Sequence, residues 1–185
     1  GDDFIDGGER NDDIFGGDGE DDLRGGGGRD FIFGGRDADV IRGGSGQDDL
    51  FGNEGDDLIF ADVDEHGSAL GAAEHLIEGG SGSDTIYGDN AKDVIFGDNA
   101  SDDPTDLGGD DIIFGLAGND DIFGQFGDDI VSGGDDDDWI VGGFGDDELG
   151  GDAGSDVVWG GFVARELPRT AVSRSHAAHV PPPRR

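Results

Sequence analysis

Sixteen aspartates carry the only chemistry whose spacing stands out in this chain. They are Asp3, Asp12, Asp21, Asp30, Asp39, Asp48, Asp57, Asp84, Asp93, Asp102, Asp111, Asp120, Asp129, Asp138, Asp147 and Asp156, each a multiple of nine residues from the next. Paired carboxylates can act as acid and base on a glycosidic bond, or they can offer oxygens to a cation. Catalysis is the weaker reading. The chain has no H-E-x-x-H, no G-x-S-x-G and no local frame for a Ser–His–Asp triad. Its 46 Asp and Glu against 11 Lys and Arg leave a formal charge of −35. Such a surface repels phosphate backbones and anionic lipid, which argues against nucleic acid and membranes as partners, and it attracts cations. With no cysteine, disulfides and thiolate metal sites are excluded. No run of about 18 apolar residues is present to span a membrane.

The elements that would position these carboxylates follow from the same period. With Gly7 as position 1, glycine recurs at 16, 25, 34, 43, 52, 79, 88, 97, 115, 124, 133, 142, 151 and 160, and aspartate holds position 6. Position 8 is Ile, Leu or Val in every block from Ile5 to Val158 except at Ser68 and Pro104. Glycines at positions 1, 2 and 4 suit a tight turn that needs positive φ and close backbone approach. Residues 7–9 suit a short strand whose alternation sends position 8 to the opposite side from 7 and 9. Turn, strand, turn, strand then closes one coil in two nonapeptides, a period of eighteen. A flexible acidic linker would share the composition, but it needs no aliphatic residue at every ninth place.

The pattern is plainest at residues 16–33, GGDGEDDLR followed by GGGGRDFIF, each reading G-G-x-G-x-D-x-U-x with U a large aliphatic residue. This nonapeptide resembles the RTX, or haemolysin-type calcium-binding, repeat family. The resemblance implies an all-β fold, a right-handed parallel β-roll (a β-solenoid) with two nonapeptides per coil. Two short sheets would carry several calcium ions in a row along each turn edge. It further implies that the sixteen aspartates are metal ligands, that the chain is secreted, and that the roll itself is not an enzyme. A core one residue wide is thin, and stacked carboxylates repel one another. Calcium, a hard cation taking six to eight oxygens, would offset both.

Counting by 18 predicts two rows of turns. One runs Asp12, Asp30, Asp48, His66, Asp84, Asp102, Asp120, Asp138, Asp156, and the other Asp3, Asp21, Asp39, Asp57, His75, Asp93, Asp111, Asp129, Asp147. Each row then holds six adjacent Asp–Asp pairs, and both break at the same level. Fewer than all twelve should fill, because Ala91 and Ala100 replace the glycine of position 4. Residues 61–78 cause the break: Ser68 at a core position predicts that the first half loops out, while Leu76 and Ile77 return the second half to the sheet. His66 and His75 read as exposed loop residues, with transition-metal binding as the alternative. Pro104 marks a second weak spot at 99–107, since it cannot donate to a ladder. The chain is therefore expected to be one roll over 1–162, with lobes 1–60 and 79–162 around 61–78. A disordered basic tail is expected over 163–185, where Arg is frequent, three prolines run together and the repeat has stopped. Beginning in mid-pattern without Met, the sequence reads as a fragment.

Three functional readings follow. The first is a secreted roll that folds on binding calcium. The second is the same module serving export and folding of a larger secreted protease, lipase or haemolysin. The third, an ice-binding or adhesive solenoid, wants a flat threonine ladder that the sequence lacks. One feature lies outside the motif. Counted by 18, Val40, Leu58, Leu76, Val94, Ile112 and Ile130 share position 7 of one face, an apolar ladder expected to meet a protein partner or a second copy.

Overall fold

The computed structural model describes residues 1–62, 73–99 and 108–161. Strand β1 is Phe4–Glu9, followed by β2 (Asp13–Asp18), β3 (Asp22–Gly27), β4 (Phe31–Arg36), β5 (Val40–Ser45), β6 (Asp49–Glu54), β7 (Leu58–Phe60) and β8 (Leu76–Ser81). The second half holds β9 (Thr85–Tyr87), β10 (Val94–Asp98), β11 (Ile112–Ala117), β12 (Asp121–Phe126), β13 (Ile130–Asp135), β14 (Trp139–Phe144), β15 (Glu148–Ala153) and β16 (Val157–Gly161). Every strand opens at position 7 of its block. Odd-numbered strands pair in order into one parallel eight-stranded sheet and even-numbered strands into the other. The expected parallel solenoid with two nonapeptides per coil is the fold, and no helix occurs among the described residues.

Alternation fills the space between the sheets with a single file of aliphatics. Leu23, Ile32, Ile41, Leu50, Ile59, Ile77, Ile86, Ile95, Ile113, Ile122 and Ile140 are fully buried, while Ile5, Leu149 and Val158 at the ends are only partly covered. Outward-facing position 9 carries aromatic stacks at the spacing of parallel strands. Phe15, Phe33 and Phe51 stack at 5.4 and 4.8 Å between ring centroids on the even sheet. Phe60, Tyr87 and Phe114 stack at 5.2 and 5.0 Å on the odd one. Outward aspartates at position 7 are held by cations, Asp49 by Arg29 at 2.9 Å and Asp22 by Arg42 at 2.7 Å.

Register departs from a uniform coil at two levels. Leu58 pairs with Thr85 and Asp49 with Leu76, each three nonapeptides on instead of two. Thr85 then pairs with Ile112 and Val94 with Asp121, again three nonapeptides on. One nonapeptide's length is therefore left out of the coils between β7 and β8, and another between β10 and β11. These are the places where Ser68 and Pro104 deny the core an aliphatic residue. Ser68, His66 and Pro104 themselves lie outside the described residues, as does the tail expected over 163–185. Leu76 and Ile77 rejoin the sheet as expected.

Omitting one block exchanges the faces of everything up to the next omission, and this corrects the apolar ladder. Leu76 and Val94 lie in the even sheet, beside Asp49 and Asp121 respectively. Thr85 stands between Leu58 and Ile112 in the odd sheet. The continuous six-residue ladder of Val40, Leu58, Leu76, Val94, Ile112 and Ile130 does not exist, and the expected partner surface loses its basis.

Candidate metal rows

Each turn joins the end of one strand to the start of the next and presents its position-6 side chain to the neighbouring coil. In row I the amide of Asp12 donates to Asp30 Oδ1 at 3.0 Å, and that of Asp30 to Asp48 Oδ1 at 2.8 Å. The row goes on through Asp93 to Asp120 at 2.8 Å, Asp120 to Asp138 at 3.0 Å and Asp138 to Asp156 at 3.2 Å. Row II runs through Asp3, Asp21, Asp39, Asp57, Asp84, Asp111, Asp129 and Asp147, with amide-to-Oδ1 distances of 2.7 to 3.2 Å. All the sequence-predicted site residues stand in these rows except Asp102, which lies outside the described residues.

Row membership differs from a count by 18. Asp84 follows Asp57 and is followed by Asp111, so row II is aspartate throughout, with seven adjacent pairs. His75 and Asp93 belong to row I, where five Asp–Asp pairs remain. Among the described residues only one edge is interrupted, not both. His75 is also no exposed loop residue: it is 3% exposed and fills an aspartate's place. Its Nδ1 accepts the Asp48 amide at 3.2 Å, and its own amide donates to Asp93 Oδ1 at 2.9 Å. The turn at Ala91 forms despite the missing glycine, because Asp89 Oδ1 accepts the Ala91 amide at 2.6 Å.

The second carboxylate oxygen distinguishes these rows from ordinary polar ladders. Oδ2 of Asp12, Asp21, Asp30, Asp39, Asp48, Asp57, Asp84, Asp111, Asp120, Asp129, Asp138 and Asp147 is buried with no hydrogen-bond partner. Backbone oxygens crowd the same space. A Cβ built on Gly34 would overlap Asp39 Oδ2 and stand 2.7 Å from the Gly52 carbonyl oxygen. Position 1 is thus a cradle kept free of side chain, in which carboxylate and carbonyl oxygens converge. An all-oxygen donor set of this kind fits calcium, a hard cation.

Charge follows the same geometry. Burial pushes these carboxyls above their usual range, the amide from the preceding coil pulls them back, and the adjacent aspartate raises them again. Asp111 reaches about 9, Asp84 and Asp120 about 8, and Asp57 and Asp129 about 7. Asp39, Asp48 and Asp138 reach about 6, Asp48 being also drawn down by His75.

A further ladder escaped the sequence reading. Position-5 side chains accept the position-5 amide one coil on, as Asp110 does from Asp128 and Asp128 from Asp146, both at 2.8 Å. Asn11, Asn119 and Asp137 accept in the same way. The recurrent Asp-Asp and Asn-Asp doublets at positions 5 and 6 were its visible signal.

A parallel β-solenoid with two files of turn aspartates belongs to a definite class, the calcium-binding β-rolls. The family model described as RTX calcium-binding nonapeptide repeat matches residues 1–32, 24–59, 76–103, 105–131 and 132–163. The chain belongs to this family, and calcium binding in a structural rather than catalytic domain follows from membership. RTX repeat domains are characteristic of secreted proteins. No curated protein matches the chain.

Proposed function

We propose that this chain is a secreted roll that folds only when it binds calcium, and that its row aspartates are the ligands. The observation that supports this reading is the set of buried, unpartnered Oδ2 atoms repeated along both rows. A buried carboxylate without compensation costs several kcal/mol, and a core one aliphatic residue wide cannot absorb that cost at level after level. A dication between neighbouring aspartates supplies the missing charge and takes oxygens from carboxylate and turn carbonyl. The ligand set is Asp3, Asp21, Asp39, Asp57, Asp84, Asp111, Asp129 and Asp147 on one edge. On the other it is Asp12, Asp30, Asp48, Asp93, Asp120, Asp138 and Asp156. Asp102 is left to mutation. Extracellular calcium modules bind at about 10⁻⁴–10⁻³ M, so the chain stays unfolded in the cytosol and folds outside.

Far-ultraviolet circular dichroism tests this directly. In chelator the spectrum should be that of a disordered chain, and millimolar calcium should produce a β spectrum through binding linkage. Magnesium should do so poorly, since it demands octahedral geometry and keeps its waters. A β spectrum of equal strength in chelator would sink the proposal.

We also propose that 61–78 divides the roll into lobes 1–60 and 79–162 in its response to proteases, although strand pairing runs through that level in both sheets. Limited proteolysis in saturating calcium should cut first between Asp62 and Ala73. A first cut within 16–51 or 115–159 would count against the division.

A further inference from the structure

Row I is interrupted at His75, and the interruption has a chemistry of its own. His75, Asp89 and Asp93 are each buried, 3%, 0% and 0% exposed, and offer ligand atoms that lie within 4.8 Å of one another. The imidazole Nε2 has no hydrogen-bond partner within 3.5 Å and faces the carboxylate oxygen Asp89 Oδ2 at 3.6 Å, its ion-pair partner when the ring is protonated. Two ligands on one ion at about 2.0–2.2 Å would lie that far apart at an angle near tetrahedral. Backbone amides fix both carboxylates. Asp89 Oδ2 accepts from Ala73 at 3.2 Å and Oδ1 from Ala91 at 2.6 Å, while Asp93 accepts from His75 and Asp89, both at 2.9 Å. Such outer hydrogen bonds are what orient metal-ligating side chains.

Nothing in the nonapeptide motif calls for this arrangement. Asp89 occupies position 2, where most blocks carry glycine, and His75 replaces the aspartate of position 6. Asp48 and Asp62 add two further buried carboxylates to the same surroundings. One imidazole among four carboxylates leaves a strong negative excess, and a dication would compensate it. A donor set with an imidazole nitrogen favours a borderline transition metal over calcium.

We propose that His75, Asp89 and Asp93 form a binding site for one transition-metal dication of the zinc or cobalt type, set in the gap of row I and sharing Asp93 with that row. The site rests on the row architecture but not on calcium being the ligand elsewhere. In the metal-free protein Nδ1 accepts the Asp48 amide, which puts the neutral ring's proton on Nε2. Loading the metal at Nε2 displaces that proton to Nδ1, so the Asp48 amide gives up its bond to the ring and Asp48 Oδ2, 3.8 Å from Nδ1, takes the new N–H. Asp48 then becomes the carboxylate behind the histidine.

The test is a cobalt(II) titration of the full chain in saturating calcium, read by visible absorption. One cobalt should bind per chain with the intense bands of a low-coordinate N/O site, and zinc should bleach them. His75→Asp should abolish the bands while keeping the β spectrum. Asp89→Asn should weaken binding at least about tenfold. The chain's other histidines are removed together in His66→Ala/His176→Ala/His179→Ala, which should keep the bands. Should His75→Asp fail to fold, nitrogen NMR of the wild type decides: zinc must shift His75 Nε2. No saturable bands, bands that survive His75→Asp, bands lost in the triple variant, or an unmoved Nε2 would each overturn the proposal. Failure of calcium-driven folding shows in the dichroism before cobalt is added, so the two readings fail separately.

Discussion

Moving the calcium-free chain from pH 8 to pH 5 should restore part of the β signal that calcium restores at pH 8. The sign follows from the row carboxyls. Burial in the roll holds Asp111 at about 9, Asp84 and Asp120 at about 8 and Asp57 and Asp129 at about 7, against 3.8 for an ordinary aspartate. A carboxyl whose folded value is raised binds more protons in the folded chain than in the unfolded one. Its contribution is complete below pH ~4 and is lost as pH rises through the folded values. At pH 5 these five carboxyls are still protonated in the roll and need no cation. At pH 8 Asp57 and Asp129 have ionised and Asp84 and Asp120 are about half ionised, and that buried charge falls on the fold. A tenfold change in a carboxyl's proton affinity on folding corresponds to about 1.4 kcal/mol, so several such groups outweigh most single substitutions. With calcium the dependence reverses, because only ionised carboxylates hold the ion: the calcium midpoint should fall as pH rises from 5 to 8. Light scattering must accompany the acid measurement, since the isoelectric point lies near 4.1. Equally disordered spectra at both pH values, or more β signal at pH 8, would refute the account.

The rows were legible in the sequence because each of their requirements is local. Asp39 at position 6, Ile41 at position 8 and Gly43 at position 1 need only a nine-residue frame, and the structure seats them in turn, core and cradle. Which coil lies beside which was not local. Ser68 and Pro104 were visible as poor core residues, but the count by 18 kept their blocks in the stack. Removing one block's length sends Leu76 to the even sheet and Thr85 to the odd one. The break in row II disappears with it, because Asp57 can donate to Asp84 three nonapeptides away. His75 was misread for the same reason: its block keeps the Leu76-Ile77 strand, so its turn must fold and bury whatever occupies position 6. Asp89 gave no periodic signal at all, since it stands at a position that the motif assigns to glycine.

The glycines of the repeat turn out to serve two distinct needs, and substituting Gly34 with alanine should be among the most damaging changes in the roll. Position 2 has positive φ, as at Gly35, yet side chains are accommodated there: Asn53, Leu116 and Gln125 hold φ near 80°. Position 1 has no positive φ at Gly34, so the residue is needed for space alone. An added Cβ would overlap Asp39 Oδ2 and meet the Gly52 carbonyl oxygen at 2.7 Å. The carboxylate could turn away only by leaving the row, and the carbonyl belongs to the paired strand β6, so neither yields without opening the coil. Overpacking of this kind costs about 1–3 kcal/mol in ordinary cores. Here the upper end is expected, together with weakened calcium binding at the Asp21–Asp39 and Asp39–Asp57 levels. Asn53→Gly replaces one residue type that tolerates the left-handed region with another and gives up a 3.3 Å contact from Asn53 Nδ2 to the Phe51 carbonyl, so it should leave stability nearly unchanged. Denaturant unfolding in saturating calcium compares the two. A Gly34→Ala chain as stable as wild type, or one less affected than Asn53→Gly, would show that position 1 is glycine for some reason other than the oxygens converging on it.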